Sequence, residues 1–327
     1  MSDSHGPRIT VITPAYNVGR YIGEAMDSVL AQSFRDFEYL VVDDGSADNT
    51  ADVIGQRAAA DSRVRCIATS HAGACHARNV AIAQASGEFI AFLDGDDRWH
   101  PRFLAEQLSL LESAGPQVAA VFARSRVMSE SGQVYLVRWQ RAGRYDFDDM
   151  LIFSCPPRTG SSLLIKRKAF EAVGLFDEQL ESAQDLDMWL RIQHGSGMPY
   201  FLGGRKYLLD IRVRAGAISR DHKKRFIALE KVIADHSPNL RRQPRGMAYV
   251  RAAVFAYRAG DDEFAERWAL AAKEEAPRMA LLADSFGRKM LGWSALPGNG
   301  RAILRQSNAS LRSAIGQLAG AAARLSG

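Results

Sequence analysis

The stretch EFIAFLDGDDRWHP, residues 88–101, runs an apolar, strand-like segment straight into three carboxylates within four positions, Asp94, Asp96 and Asp97. Carboxylates at i and i+2 on a chain leaving a strand can converge on a hard divalent cation, which takes oxygen ligands, and Gly95 between them permits a close backbone approach. Such a cation keeps open positions for a substrate phosphate, and both Mg²⁺ and Mn²⁺ suit the ligand type. Asp and Gly also serve turns by capping backbone N–H groups. Three acids beside a core, however, repel one another unless solvent or a cation compensates.

Two further acidic stretches fit the same chemistry. VVDDGSADNT places Asp43 and Asp44 at the end of another apolar run, where Asp44 could cap the next helix or accept N–H bonds from a nucleobase. AQDLDMWLR puts Asp185 and Trp189 four apart, on a similar helical face, with Asp187 displaced from them. A single carboxylate at Asp185 could take a proton from an incoming hydroxyl while a metal holds a departing phosphate. The plainer role for it is capping the start of the helix.

These residues need a scaffold that gathers them, and the pattern supplies one. RITVIT (8–13) reads as a strand stopped by Pro14, and Ile22, Ala25, Met26, Val29 and Leu30 then follow at helical spacing. FEYLVVDDGS, VRCIAT and EFIAFL read as further strands, separated by helices over ADNTADVIGQRAA and ACHARNVAIAQAS. Near-continuous apolar strands alternating with helices predict an α/β fold with a mixed, mainly parallel sheet covered on both faces. Ligands of such sheets sit beyond the carboxyl ends of the strands, where Thr13, Asp43, Asp44 and Asp94 to Asp97 all fall.

After Pro101 a helix to about Ser113 leads to the strand VAAVFARSRVM. VYLVRW reads as an antiparallel piece, CPPRTG as turn material, and SSLLIKRKAFEAVGLFDEQL as strand, short helix and turn. The helix over AQDLDMWLRIQHGSG turns Leu186, Trp189, Leu190 and Ile192 to its apolar side, and YFLGGRKYLLDIRV closes one domain, residues 1–220. Residues 221–327 are rich in Ala, Arg and Leu and read as a helical extension containing one antiparallel helix pair. The last helix, 301–327, packs within the protein or lies on anionic lipid as a peripheral contact.

Composition narrows the function classes. At 327 residues, with 47% hydrophobic residues and a net charge of +5, the chain is an ordinary globular protein with a modest preference for anionic partners. Cys66, Cys75 and Cys155 are too few and too scattered for a disulfide framework or a metal knuckle, which predicts a reducing, cytoplasmic setting. No stretch has the apolar length of a membrane span, and no leader pattern opens the chain. Nucleic acid is disfavoured, since neither zinc-finger spacing nor a basic-aromatic run is present. Neither GxGxxG nor a Walker sequence follows the early strands, so a bound diphosphate would lean on metal and on Arg78.

In order and spacing, VITPAYN, VLAQSF, VVDDGS, ARNVAIAQASGEFIAFLDGDD, VGLFDE and QDLDMWLR resemble the inverting nucleotide-sugar glycosyltransferases of family 2, whose α/β domain is called GT-A. The resemblance covers about residues 8–220 and implies a Rossmann-like GT-A domain. It implies that Thr13, Pro14, Ala15 and Tyr16 line a nucleotide pocket, that Asp44 recognises the base, and that Arg78, beside Asn79, orders the diphosphate or the acids. Asp94 and Asp96 match the family's DxD pair, with Asp96 in direct contact with Mg²⁺ or Mn²⁺, and Asp185 matches its catalytic base. A UDP-sugar is the default donor. A saccharide or lipid-linked saccharide bound for the cell surface is the implied acceptor. No QxxRW motif is present, which favours transfer of a single sugar.

The chain departs from the family pattern at three places: His71 where Asn is frequent, Gln184 where Glu usually precedes the base, and Arg214 near a position where relatives carry a His. An arginine can neutralise phosphate but cannot ligate a cation. Two rivals remain at this level, a sugar-phosphate nucleotidyltransferase and an inactive scaffold. The first would want a Gly-rich phosphate loop after strand one, which PAYNVGRYIGE does not offer, and the intact acids argue against the second.

Overall fold

The computed structural model describes residues 6–214 except 139, 153–156 and 158, and beyond them 222–239 and 262–275 with scattered positions between 245 and 256. The chain divides into two compact units, Met1–Met150 with Cys155–Ala228, and Leu151–Ser154 with Leu229–Gly327.

The first unit is built on a sheet of β1 (Ile9–Ala15), β2 (Phe37–Asp43), β3 (Val64–Ala68), β4 (Phe89–Phe92), β5 (Arg98–Trp99), β6 (Val118–Met128), β7 (Val134–Arg138), β8 (Gly143–Tyr145), β9 (Leu163–Lys166) and β10 (Tyr200–Arg212). The strand order is β3-β2-β1-β4-β9-β6-β10-β5, with β7 beside β6 and β8 beside β10. β1, β2, β3 and β4 run parallel, and β6 and β10 are parallel to each other. β9 is antiparallel to both its neighbours, β4 and β6. The sheet is therefore mixed, as the strand and helix alternation predicts.

Helices α1 (Ile22–Leu30), α2 (Thr50–Ala60), α3 (Ala74–Gln84), α4 (Phe103–Ser113), α6 (Lys168–Val173) and α7 (Gln184–Gly195) belong to the same unit, and α5 (Phe147–Ile152) begins in it. α1 shows the local logic: Ile22, Ala25, Met26 and Val29 share one face at i, i+3, i+4 and i+7 and are completely buried. α7 buries Leu186, Trp189, Leu190 and Ile192, the apolar side expected of it.

One expectation fails at β1, which continues through Pro14 to Ala15 in register with Asp43 of β2. Side alternation explains it. Ile12 presents its carbonyl to Leu93 at the end of β4, so Pro14, two residues on, turns its missing N–H toward the same side, beyond the last β4 residue. The added length carries β1 out to the rim where the acids gather.

The opposite sheet margin is held by charge. The buried Asp210 of β10 accepts from Arg126 Nε at 2.7 Å and Nη2 at 3.1 Å, and from Arg98 Nη2 at 3.0 Å. Both arginine side chains are more than a third exposed, so solvent screens part of this attraction. Asp210→Ala is expected to lower unfolding free energy by about 1–3 kcal/mol, below the loss for a fully buried pair. Urea titration followed by tryptophan fluorescence measures it.

Two further helices follow, α8 (His222–His236), which begins in the first unit and ends in the second, and α9 (Asp262–Glu275) in the second. In the second unit Arg245 pairs with Glu275 at 2.8 Å and Tyr249 packs on Trp268 at 5.0 Å between ring centroids, the contacts of an antiparallel helix pair. Fully buried Ala248, Ala252, Ala256 and Ala272 let helices approach closely. Among the described residues no helix is long and apolar enough to cross a membrane. The helix expected over 301–327 lies outside the described residues.

Candidate active site

The carboxyl ends of β1, β2 and β4 lie side by side in the sheet. Of the four residues expected to line a pocket at the end of β1, only Pro14 and Tyr16 reach the surface. Thr13 is completely buried with its hydroxyl 2.9 Å from Tyr39 Oη, and Ala15 is buried beside it. Thr13 thus offers a ligand backbone atoms alone. Tyr16 stacks on His71 with ring centroids 3.8 Å apart.

Asp44 is occupied by its own surroundings. Its Oδ1 accepts from Ala72 N at 2.9 Å and Thr69 Oγ1 at 3.2 Å, and its Oδ2 accepts from Gly73 N at 2.8 Å and His71 Nδ1 at 2.9 Å. A carboxylate only accepts, so the Nδ1 facing it carries the proton. The acid therefore ties the 69–73 loop to the end of β2, and contact with a base edge requires one of these donors to give way. His71 stands as the aromatic partner of Tyr16 and a clamp on Asp44.

The acids after β4 form the centre. Asp94 accepts from Arg78 Nη2 at 2.9 Å and from Thr159 Oγ1 at 3.1 Å. Asp96 accepts from Arg214 Nε at 2.6 Å. Asp97 is buried and receives Arg212 N at 3.0 Å. Burial, with the neighbouring charge of Asp94, raises the Asp96 carboxyl above the ordinary range despite Arg214. Burial raises Asp97 further, reinforced by Asp96 and Asp94. Gly95 works inward: a Cβ there would meet Val18 and Ile22 side-chain carbons at 3.1 Å, so the glycine lets the acidic turn settle against the start of α1.

Asp96 and Asp97, held up by burial and by the neighbouring acids, form with Asp94 a charge pattern that a divalent cation relieves, and carboxylate oxygens are the donors Mg²⁺ and Mn²⁺ take. Among the described residues no three His, Cys, Asp or Glu side chains close into a metal cage. The donor set fits a cation that completes its coordination with ligand oxygens and water.

Arg78 on α3 lies between two acidic groups. Burial opposes its charge, but Asp94 and Asp185 together hold the guanidinium more basic than usual. Its buried Nε has no hydrogen-bond partner among the described residues. The neighbouring Asn79 fastens the loop before α7, donating to Phe176 O at 3.0 Å and Glu178 Oε1 at 2.8 Å and accepting from Phe176 N at 2.9 Å.

α7 brings in Asp185 at its first turn, behind Ala183 in the left-handed region at φ 57°. Asp185 Oδ2 accepts from Gly160 N at 2.9 Å. Burial raises its carboxyl above the ordinary range, with Arg78 pulling the other way. The fold thus brings Asp94, Arg78 and Asp185 into one electrostatic group. It adds Thr159, Gly160 and Ser161, which sequence reasoning treats as turn material or the start of a strand.

These elements can be compared with known proteins. The family profile for Glycosyl transferase family 2 matches residues 10–174, just over half of the chain. The chain belongs to glycosyltransferase family 2. The putative teichuronic acid biosynthesis glycosyltransferase TuaG of Bacillus subtilis is 30% identical over 67% of this chain and 84% of its own length. Of the uncharacterized glycosyltransferases of Rickettsia felis and Rickettsia typhi, each 29% identical, the chain spans 31% and 62%. Among solved structures, Staphylococcus aureus TarS 1-349 in complex with UDP-GlcNAc superposes with a TM-score of 0.58 at 16% identity, over 82% of this chain and 91% of that one. The mannosyltransferase PcManGT of Pyrobaculum calidifontis, in complex with GDP-Man and Mn²⁺, gives 0.53 at 21% identity, over 94% and 81%. The fold of the family 2 domain is GT-A.

Two other residues of this family 2 domain stand close to the acidic turn. Arg212 is buried, holding Glu24 Oε2 at 2.8 Å, Glu130 O at 2.7 Å and Asp96 O at 3.0 Å, so it braces the acidic turn. Trp99 is buried, stacked on Phe103 at 4.1 Å, with Nε1 donating to Ser161 O at 2.7 Å, which makes it core.

Proposed function

We propose that this chain is a metal-dependent, inverting glycosyltransferase that moves one sugar from a nucleotide-diphosphate donor to an acceptor hydroxyl. The observation that carries the reading is the meeting of Asp185 with Arg78 and Asp94, from segments far apart in the chain.

In this reading the acceptor oxygen attacks the anomeric carbon as the bond to the diphosphate oxygen breaks on the opposite face, and the acceptor proton passes to Asp185. Configuration inverts because no sugar–enzyme bond forms. Arg78 and Arg214 supply positive charge toward the leaving diphosphate. Mg²⁺ or Mn²⁺, held by Asp96 with Asp94, would stabilise charge on the leaving group when bound. Tyr16, stacked and exposed, presents a ring face suited to the base.

The donor class is supported by the UDP-GlcNAc and GDP-Man of the two solved neighbours, and the acceptor class by the teichuronic acid relation of TuaG. A saccharide, or a lipid-linked saccharide reached from the cytoplasmic side, is the acceptor we propose, with peripheral membrane contact.

The test is release of free nucleotide from a panel of UDP- and GDP-sugars with Mn²⁺ or Mg²⁺. Release with one donor class, stopped by EDTA and restored by added cation, is expected. Turnover indifferent to chelator removes the metal, and no release from any donor removes the transferase.

A further inference from the structure

The tripeptide Thr159–Gly160–Ser161 touches three acids, Asp94 and Asp185, which flank Arg78, and Asp97. Thr159 Oγ1 lies 3.1 Å from Asp94 Oδ2 and accepts from Ser161 N at 3.2 Å. Ser161 Oγ accepts from Asp94 N at 3.0 Å and donates to Asp97. Gly160 N donates to Asp185 Oδ2 at 2.9 Å.

Counting protons fixes these roles. Each hydroxyl has one proton, and a carboxylate can only accept it. Thr159 Oγ1 stands 3.1 Å from Asp94 Oδ2 and 3.3 Å from Ser161 Oγ, so its one proton goes to the nearer, charged acceptor while it receives the Ser161 N–H, and Ser161 gives its proton to Asp97 and receives the Asp94 N–H. That leaves the Gly160 N–H, between the two, directed at Asp185. Ser161 is fully buried and its carbonyl is held by Trp99 Nε1 at 2.7 Å, so the tripeptide has a fixed base.

We infer that Gly160 is a positioning residue, its backbone N–H setting the carboxylate of Asp185 at a distance from Asp94 fixed by the Thr159 and Ser161 hydroxyls. The inference rests on the reading of Asp185 as the base. A strut of this kind matters because a small misplacement of a general base costs turnover without touching donor affinity.

Gly160→Pro deletes the one N–H and sets Cδ in its place, against an Asp185 Oδ2 only 2.9 Å from the nitrogen, so it pushes the carboxylate off its post as well as unpairing it. Thr159 is extended at φ −156° and ψ 149°, the conformation a residue before proline requires, and Gly160 opens a 3-10 turn, where proline is tolerated. The atoms nearest a Cβ at position 160 are Phe92 Cβ at 3.6 Å and the Asp185 oxygens at 3.8 and 3.9 Å, ordinary contacts. Gly160→Pro removes the donor, and Gly160→Ala keeps it.

The experiment measures kcat for nucleotide release with UDP-GlcNAc or GDP-mannose, whichever the wild type uses, and affinity for the corresponding nucleoside diphosphate plus Mn²⁺, on the full chain. Gly160→Pro is expected to lower kcat by about a hundredfold with affinity within about threefold, and Gly160→Ala to recover most of the turnover. Full turnover in Gly160→Pro overturns the inference, as does a joint loss of nucleotide affinity in both variants, which marks a purely structural loop. Should Gly160→Pro not fold, Thr159→Val against Thr159→Ser decides: turnover lost in Val and recovered in Ser supports the strut, and turnover kept in both overturns it. Asp185→Asn runs alongside. Normal turnover there removes the base reading itself, while an inactive Asp185→Asn beside an active Gly160→Pro removes only the strut.

Discussion

Asp185→Asn is expected to lower turnover by about 10²–10⁴-fold while leaving affinity for nucleoside diphosphate and Mn²⁺ within about threefold. The substitution preserves volume and keeps an oxygen that can accept from Gly160 N, now 2.9 Å from Asp185 Oδ2. It removes the one property the reaction needs, an acceptor for the hydroxyl proton. Arg78 stays compensated because Asp94 still receives its Nη2 at 2.9 Å. The pH dependence follows the same logic. Burial raises the Asp185 carboxyl, so the protonated, inactive form persists above the ordinary carboxylate value of about 4. Wild-type turnover should therefore fall on the acid side with a midpoint above that value. Steady-state kinetics from pH 4.5 to 8, with calorimetric binding of the nucleotide, measure both effects. A variant that turns over normally would show that the proton leaves by another route.

The elements that position this site are legible wherever one segment decides its own structure. Ile22, Ala25, Met26 and Val29 announce α1 by spacing, and the buried face of α7 is fixed by Leu186, Trp189, Leu190 and Ile192. Asp94 and Asp96 can be picked out because acids directly after a buried strand are costly and ask for a reason. Strand order is less accessible: nothing local in LLIK says that β9 inserts antiparallel between β4 and β6. Thr159, Gly160 and Ser161 carry no local signature at all. A hydroxyl and an amide N–H acquire a role only from partners 65 and 25 residues away, at Asp94 and Asp185. The same holds for Arg212, which sits in a run of basic residues yet is buried because Glu24 and Glu130 O reach it from elsewhere in the fold. Asp44 shows the limit from the other side. Its residue type suits a base edge, but the neighbouring loop already supplies four donors.

Asp96→Ala should separate binding from stability in opposite directions. Losing this carboxylate removes the proposed cation's main protein ligand, and Mn²⁺-dependent binding of nucleoside diphosphate is expected to weaken by about a hundredfold or more, since metal charge stabilisation amounts to several kcal/mol. Stability should not fall with it. The ion pair to Arg214 is partly exposed on the arginine side and worth little, whereas Asp96 is the largest electrostatic neighbour holding Asp97 above its ordinary range. Removing one of three crowded acids relieves that repulsion, so the metal-free variant should melt at or above the wild-type temperature. Titration calorimetry with and without Mn²⁺, paired with thermal unfolding in EDTA, distinguishes the outcomes. A site kept for cation binding gives weaker binding at equal or higher Tm, because its acids are crowded for the sake of a ligand. A turn kept for capping gives the reverse, lower Tm with unchanged binding, and that pair of results would take the metal out of the mechanism.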